Sequence, residues 1–180
     1  MTPRLIGLGY RKHSGKDTIA DHLMVAHGFN YKLSWADKLK EGVNAWHGWD
    51  ERHSHGHLKE VVDPYWGYSP REAYQKIGTD LMRNQWMETF WVKAGMRQVL
   101  TWLDEGKSVL IPDTRFPNEC QAILDHGGEV WQVHRPSLPS DDLHASETAL
   151  DGFTGWTRTI ENDGTLAELL VKVDSIIVPG

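Results

Sequence analysis

Only one cysteine, Cys120, occurs in 180 residues, so no internal disulfide framework can form and a reducing compartment is expected. Basic residues are in deficit as well. The 19 Lys and Arg stand against 25 Asp and Glu, and the net charge of −6 argues against a broad basic face for duplex nucleic acid. A polyanionic small molecule stays compatible, because it needs only a local cluster of donors. Long apolar runs are also missing: Met1 to Gly9 is too short and mixed for a signal peptide or a membrane span. The cytoplasm is therefore the expected location. Tryptophan is what the chain has in excess. Its nine copies run from Trp35 to Trp156 without a repeat, and most read as core or half-buried surface.

The length fits one domain over 1–180 with a sizeable core. Arg4 to Gly9 is a short apolar run ending in glycine, the pattern of a buried parallel strand. Ile19, Ala20, Leu23 and Met24 then keep helical spacing, so a helix is predicted from Lys16 to about Ala26. A second apolar segment, Phe29 to Trp35, leads into a helix near Asp37 to Trp46. Residues 48–68 read as an irregular His- and Gly-rich insertion. Ser69-Pro70 opens a helical pattern that runs, with an interruption, to about Glu105. Strands are expected at Ser108–Ile111, Glu129–His134 and Thr157–Ile160, with a helix from Pro117. Thr165 with Glu168 forms a capping-box signature ahead of a C-terminal amphipathic helix. Strands alternating with helices predict an α/β domain with a mainly parallel sheet, whose ligands bind beyond the carboxyl ends of the strands.

Two polar stretches follow directly after predicted strands. In the first, Tyr10-Arg11-Lys12-His13-Ser14-Gly15-Lys16-Asp17-Thr18, the strand-to-helix junction supplies converging backbone N–H groups, a helix N-terminus and a lysine, the parts of a phosphate cradle. Arg11 and Lys12 add positive charge at the rim. The pattern departs from G-x-x-x-x-G-K-[ST]. Tyr10 stands where the first glycine belongs, and Asp17 where the metal-binding hydroxyl belongs. A carboxylate beside a triphosphate is repulsive unless a metal lies between them, so Asp17 and Thr18 are candidate Mg²⁺ ligands. A plain βα turn, with Asp17 answering the helix dipole, is the alternative.

The second stretch is Ile111-Pro112-Asp113-Thr114-Arg115. An acidic residue at the end of a neighbouring strand holds the magnesium shell in P-loop enzymes, and Asp113 fits that place. Arg115 is placed to clamp transferring phosphoryl oxygens, with Glu119 one turn on for a supporting or acceptor contact. A turn aspartate and a surface arginine are the bland reading of the same residues.

Taken together, these motifs resemble the phage deoxynucleoside monophosphate kinase family, which carries a Gly-Lys-Asp-Thr loop. Further matching segments are Ser34 to Lys40, Ile77-Gly78-Thr79-Asp80, Trp91-Val92-Lys93, Arg135-Pro136, Asp142 with His144 and Glu147, and Ile160 to Gly164. The resemblance covers nearly the whole chain outside 48–68. It implies a three-layer nucleoside-monophosphate-kinase-like fold, an acceptor-binding region over about 36–93 and a lid over about 135–150. It also implies ATP and Mg²⁺ as cofactors, and transfer of the γ-phosphoryl group to a deoxynucleoside monophosphate. On that footing His13, Ser14, Gly15, Lys16, Asp17, Thr18 and Asn162 are the expected ATP site, with Asn162 on the adenine side by fold analogy. Asp17, Thr18 and Asp113 are the expected metal ligands. Lys16, Asp17, Asp113, Arg115 and Arg135 are the expected catalytic groups. Asp37, Lys38, Asp80, Arg83, Trp86, Glu119 and Glu147 are the expected acceptor site, Asp80 and Arg83 sharing a helix face. Phage origin, a small-molecule substrate and no nucleic-acid polymer follow, with a homodimer left open.

Two other functions compete. Animal-type phosphomevalonate kinases also carry a Gly-Lys-Asp loop and an Asp-Thr-Arg segment, although Ile77 to Asp80 fits the nucleotide kinases better. A nucleotide-binding ATPase or regulator would lack an acceptor site. His47, His53, His55 and His57 read as a solvated insertion rather than a metal site, since no fixed scaffold of ligands accompanies them. Cys120 reads as a small buried residue.

Overall fold

The computed structural model describes residues 2–138 and 148–177. The chain packs as two compact units, one of residues 1–34 with 96–180 and the other of residues 35–95.

The first unit is built on a five-stranded, all-parallel sheet: β1 (Leu5–Gly9), β2 (Tyr31–Lys32), β3 (Val109–Thr114), β4 (Glu129–His134) and β5 (Arg158–Glu161), in the spatial order β2-β3-β1-β4-β5. Central β1 is buried along its whole length, as a parallel strand covered on both faces must be. Its alternation sorts the layers. Ile6 and Leu8 share a core with Ile19 and Leu23 of α1 (Lys16–Ala26) and with Leu169 and Val173 of the last helix, Leu166–Ile176. Burying each such side chain stabilises the fold by about 1.5–3 kcal/mol. Gly7 faces the opposite way, where an added Cβ would run into Ile123 of the helix Pro117–Asp125. That glycine is there because the helix lies too close for any side chain.

β3 runs three residues further than the sequence pattern implies. Gly7 pairs with Ile111 while Gly9 pairs with Thr114, so Pro112 and Asp113 together oppose Leu8 in a bulge. Pro112 has no N–H to give the ladder, and a bulge is where a sheet tolerates that loss. Asp113 therefore sits within the end of the strand rather than in the loop after it.

The second unit contains α2 (Asp37–His47), α3 (Glu51–Ser54), α4 (Pro70–Gln75) and a π-helical stretch, Lys76–Trp86; α5 (Phe90–Asp104) begins in it and ends in the first unit. In chain order the helix Pro117–Asp125 is α6 and Leu166–Ile176 is α7. Leu39, Val43, Trp49, Ala73 and Tyr74 form the second unit's own core. The segment 48–68 is more ordered than its composition implies. Asp50 caps α3 through Arg52 N at 3.0 Å, and His53 Nδ1 closes the box onto Asp50 N at 3.1 Å. His47 donates from Nδ1 to Val43 O at 2.7 Å, which leaves Nε2 to accept from the Tyr68 hydroxyl at 2.8 Å. Its ring stacks on Trp49 with centroids 4.2 Å apart. Trp35, Trp49 and Trp131 are core residues, whereas Trp46 and Trp86 are largely exposed.

Candidate functional site

In the strand order β2-β3-β1-β4-β5, the connection after β1 leads to one side of the sheet and the connection after β4 to the other. The crevice beyond the carboxyl ends of such a strand pair is where open α/β sheets take ligands. A cavity of about 460 Å³ opens there, lined by His13, Gly15, Lys16, Asp17, Thr18, Arg135, Asn162, Gly164, Leu166 and Leu169. Seven of these were expected from the sequence. Gly164, Leu166 and Leu169 were not, and two of them give the cavity an apolar side.

The floor is the loop between β1 and α1. Tyr10, His13 and Gly15 all have positive φ, at 99°, 59° and 106°. This curls the backbone so that α1 starts directly beneath the cavity. Asp50, Ser69 and Thr165 close the starts of α3, α4 and α7 by accepting from their backbone N–H groups. α1 has Gly15 at its N-cap and no side-chain cap. Its first N–H groups and the positive end of its dipole are presented to the cavity.

Lys16 is buried, and its ammonium turns back over the loop. It donates to Tyr10 O at 3.2 Å, to Arg11 O, and to Ser14 Oγ at 3.3 Å. Ser14 is buried beneath it. Arg135, one residue past β4, donates from Nη1 to His13 O at 3.4 Å and so reaches the same loop. Asp17 and Thr18 are exposed at the cavity wall.

Asn162 has a more defined place than the adenine-side contact expected of it. Its Nδ2 donates to Ser14 O at 2.8 Å, and its backbone N–H donates to His134 O at 2.7 Å. It links the loop after β5 to the β1–α1 loop. A Cβ on residue 15 would lie 2.7 Å from that Nδ2. Gly15 is thus required twice, for its φ and for the space the amide fills.

Beside this cavity stands the end of β3. Asp113 accepts from Ser34 Oγ, a partner the sequence did not point to. Arg115 follows, half-buried. Glu119, expected to make a supporting or acceptor contact, supports the backbone around Arg115. Its Oε2 accepts from Arg115 N at 2.7 Å and Phe116 N at 3.0 Å, closing the N-terminus of α6. That carboxylate oxygen holds the backbone behind Arg115. Pro117 at the first helical position with Glu119 two residues later was the signal for it. The expectation for Arg11 is corrected. Both oxygens of Asp151 accept from its Nη2 at 2.9 Å, so its charge is met by a carboxylate rather than left at the rim. Cys120 is fully buried, and burial pushes its thiol up to about 12, leaving it unreactive.

Within the second unit, Asp37 is half-buried at the start of α2, and Lys38 is exposed with Nζ 2.8 Å from Glu41. Asp80 and Arg83 lie in the π-helical stretch, Asp80 exposed and Arg83 half-buried. A π-helix turns more widely than an α-helix, so residues three apart do not stack on one face as the sequence reading had them. Trp86 is 70% exposed, not a core residue, with its ring 5.6 Å from that of Phe90. Glu147, Asp142, His144 and most of the expected lid fall outside the described residues.

The family model for deoxynucleotide monophosphate kinase matches residues 51–173. A protein of Acanthamoeba polyphaga mimivirus assigned to the deoxynucleotide monophosphate kinases is 31% identical over 188 residues, covering 96% of this chain and 95% of that protein. The deoxynucleotide monophosphate kinase of Enterobacteria phage T4 is 34% identical over 111 residues, 61% of this chain and 46% of the phage enzyme. The structure of the Mycobacterium tuberculosis APS kinase, solved in complex with AMPPNP and APS, shares the fold with a TM-score of 0.52 at 14% identity, covering 98% of both chains. This chain is a phosphotransferase, and it belongs to the deoxynucleotide monophosphate kinase family.

Proposed function

We propose that the protein transfers the γ-phosphoryl group of ATP to a deoxynucleoside monophosphate, giving the diphosphate and ADP. The observation that carries this is the uncapped start of α1, opening with Lys16 and Arg135 into one cavity. The polyphosphate lies over the loop, taking the first N–H groups of α1 and drawing Lys16 Nζ from its carbonyl partners. Leu166 and Leu169 supply the apolar side for the base. Asp17, Thr18 and Asp113 offer oxygen donors, the set that suits Mg²⁺. The ion, when bound, neutralises charge on the β- and γ-phosphates.

The chain's own groups supply alignment and charge. The acceptor's second phosphate pKa is near 6, so it is already mostly ionised at neutral pH and needs little general-base help. Lys16 and Arg135 face the transferring group from two elements of the first unit, and Arg115 adds a planar donor fork from the end of β3. Asp37, Lys38, Asp80, Arg83 and Trp86 of the second unit are assigned to the acceptor. The cytoplasm is the assigned compartment, and no helix among the described residues is long and apolar enough to cross a membrane.

The test of substrate class is kcat/KM for dGMP against GMP and for dCMP against CMP at fixed ATP and Mg²⁺. The deoxy member of each pair is expected to be preferred. Equal values would leave a general monophosphate kinase. Turnover of phosphomevalonate alone would overturn the nucleotide reading.

A further inference from the structure

α1 and α7 lie side by side in the first unit, and their contact is apolar for most of its length. Ala20 and Leu23 share one core with Leu169, Val173 and Ile177, and Met24 and Ile176 pack against it. At the end of that contact the chemistry changes. His22 of α1, His27 just past its last turn, and Asp174 of α7 bring three ligand-type atoms within 4.8 Å of one another. Both imidazoles aim the same atom at the same oxygen. His22 Nε2 is 2.6 Å from Asp174 Oδ1, and His27 Nε2 is 2.7 Å from it. The two rings are 5.5 Å apart and inclined at 71°, so they approach the carboxylate from different directions.

We infer that His22, His27 and Asp174 form a binding site for a borderline divalent cation of the Zn²⁺ type, bridging α1 to α7. Two imidazoles and one carboxylate are a donor set such ions take, with the fourth tetrahedral position left to water. Zn–N and Zn–O distances of roughly 2.0–2.1 Å place neighbouring ligand atoms about 3.3 Å apart. The observed 2.6 and 2.7 Å are the tighter spacing of each imidazole nitrogen hydrogen-bonded to the shared carboxylate oxygen. Entry of the ion requires them to open by roughly half an ångström, a movement within reach of side-chain rotation. Access favours this. The imidazoles are held largely out of solvent, at 19% and 21% exposure, while the Asp174 side chain is 48% exposed.

The site is separate from the cavity. At about 1.5 Å per residue, His22 lies about 9 Å along α1 from Lys16, and His27 is further still. A cation there would fasten the far end of the helix whose near end forms the phosphate loop. Its expected effect is on the stability of that helix pair, by linkage, and not on the chemistry itself.

The experiment is titration of the metal-free protein with Zn²⁺ by calorimetry, with Co²⁺ as a spectroscopic stand-in and Tm as a second readout. His55 and His57 are exposed and are replaced in the reference protein by His55→Gln and His57→Gln to remove background. That reference is expected to bind one Zn²⁺, to gain Tm on binding, and to give Co²⁺ the intense visible bands of a tetrahedral site. Asp174→Asn and His22→Gln, each correctly folded by circular dichroism, are expected to weaken Zn²⁺ by about tenfold or more and to abolish the Tm gain. Unchanged affinity in both variants, or no saturable binding by the reference, would overturn the site and leave a metal-free His–Asp clasp. If His22→Gln fails to fold, Asp174→Asn decides alone.

Discussion

Asn162 Nδ2 donates to the carbonyl of Ser14 at 2.8 Å, tying the phosphate loop to a segment 148 residues later in the chain. The bond fixes the residue just before Gly15, whose conformation starts α1. Asn162→Ala should therefore cost about 1 kcal/mol of stability, the ordinary net value of one hydrogen bond. It should also raise KM for ATP with a smaller change in kcat. Denaturant unfolding and steady-state kinetics on the same preparation check both. A KM unchanged at lowered stability would make Asn162 a fold residue only.

Tyr10 holds a glycine-like φ of 99° at the position where the common loop pattern has glycine. Packing compensates: its ring meets His134 edge-on at 5.7 Å and Trp156 at 6.4 Å. Tyr10→Ala and Tyr10→Gly both delete that packing, yet only glycine removes the steric conflict. Tyr10→Gly should exceed Tyr10→Ala in stability by about 1–2 kcal/mol. Equal unfolding midpoints for the two variants would show that residue 10 carries no backbone strain.

The carboxylate of Asp17 lies at the cavity wall on the first turn of α1. Asp17→Asn should lower activity and raise the Mg²⁺ concentration needed for half-maximal rate. Its effect on the helix dipole should be about 0.3–1 kcal/mol at most. A less stable protein with the same Mg²⁺ dependence would return Asp17 to the role of a helix-start acid.

Arg115 is held from behind, its backbone N–H bonded to Glu119 Oε2 at 2.7 Å. Arg115→Lys keeps the charge but loses the fork, and should lower kcat by about tenfold or more while changing KM less. An effect confined to KM would place the guanidinium in uniform substrate binding.

What could be read from the sequence was what neighbouring residues decide. Three buried strands, the capping boxes at Ser69–Glu72 and Thr165–Glu168, and the junction Ser14-Gly15-Lys16 each follow from residues a few positions apart. α3 went unseen because its cap uses His53 where the usual pattern has Glu or Gln. The wide winding of Lys76–Trp86 also has no local signature, since its apolar spacing passes for α-helical. Partners far apart in the chain were out of reach altogether. Nothing near Arg11 announces Asp151, and nothing near Asp113 announces Ser34. Glu119 differs, because Pro117 two residues before it already marked a helix start.

The most direct measurement follows the label from ATP carrying a labelled γ-phosphate, incubated with Mg²⁺ and each deoxynucleoside monophosphate in turn. Wild-type protein and a folded Lys16→Ala variant are run side by side. The expected result is label in a deoxynucleoside diphosphate, dependent on the acceptor and reduced by orders of magnitude in Lys16→Ala. Label released only as inorganic phosphate at a rate indifferent to acceptor, or transfer undiminished in Lys16→Ala, would contradict it.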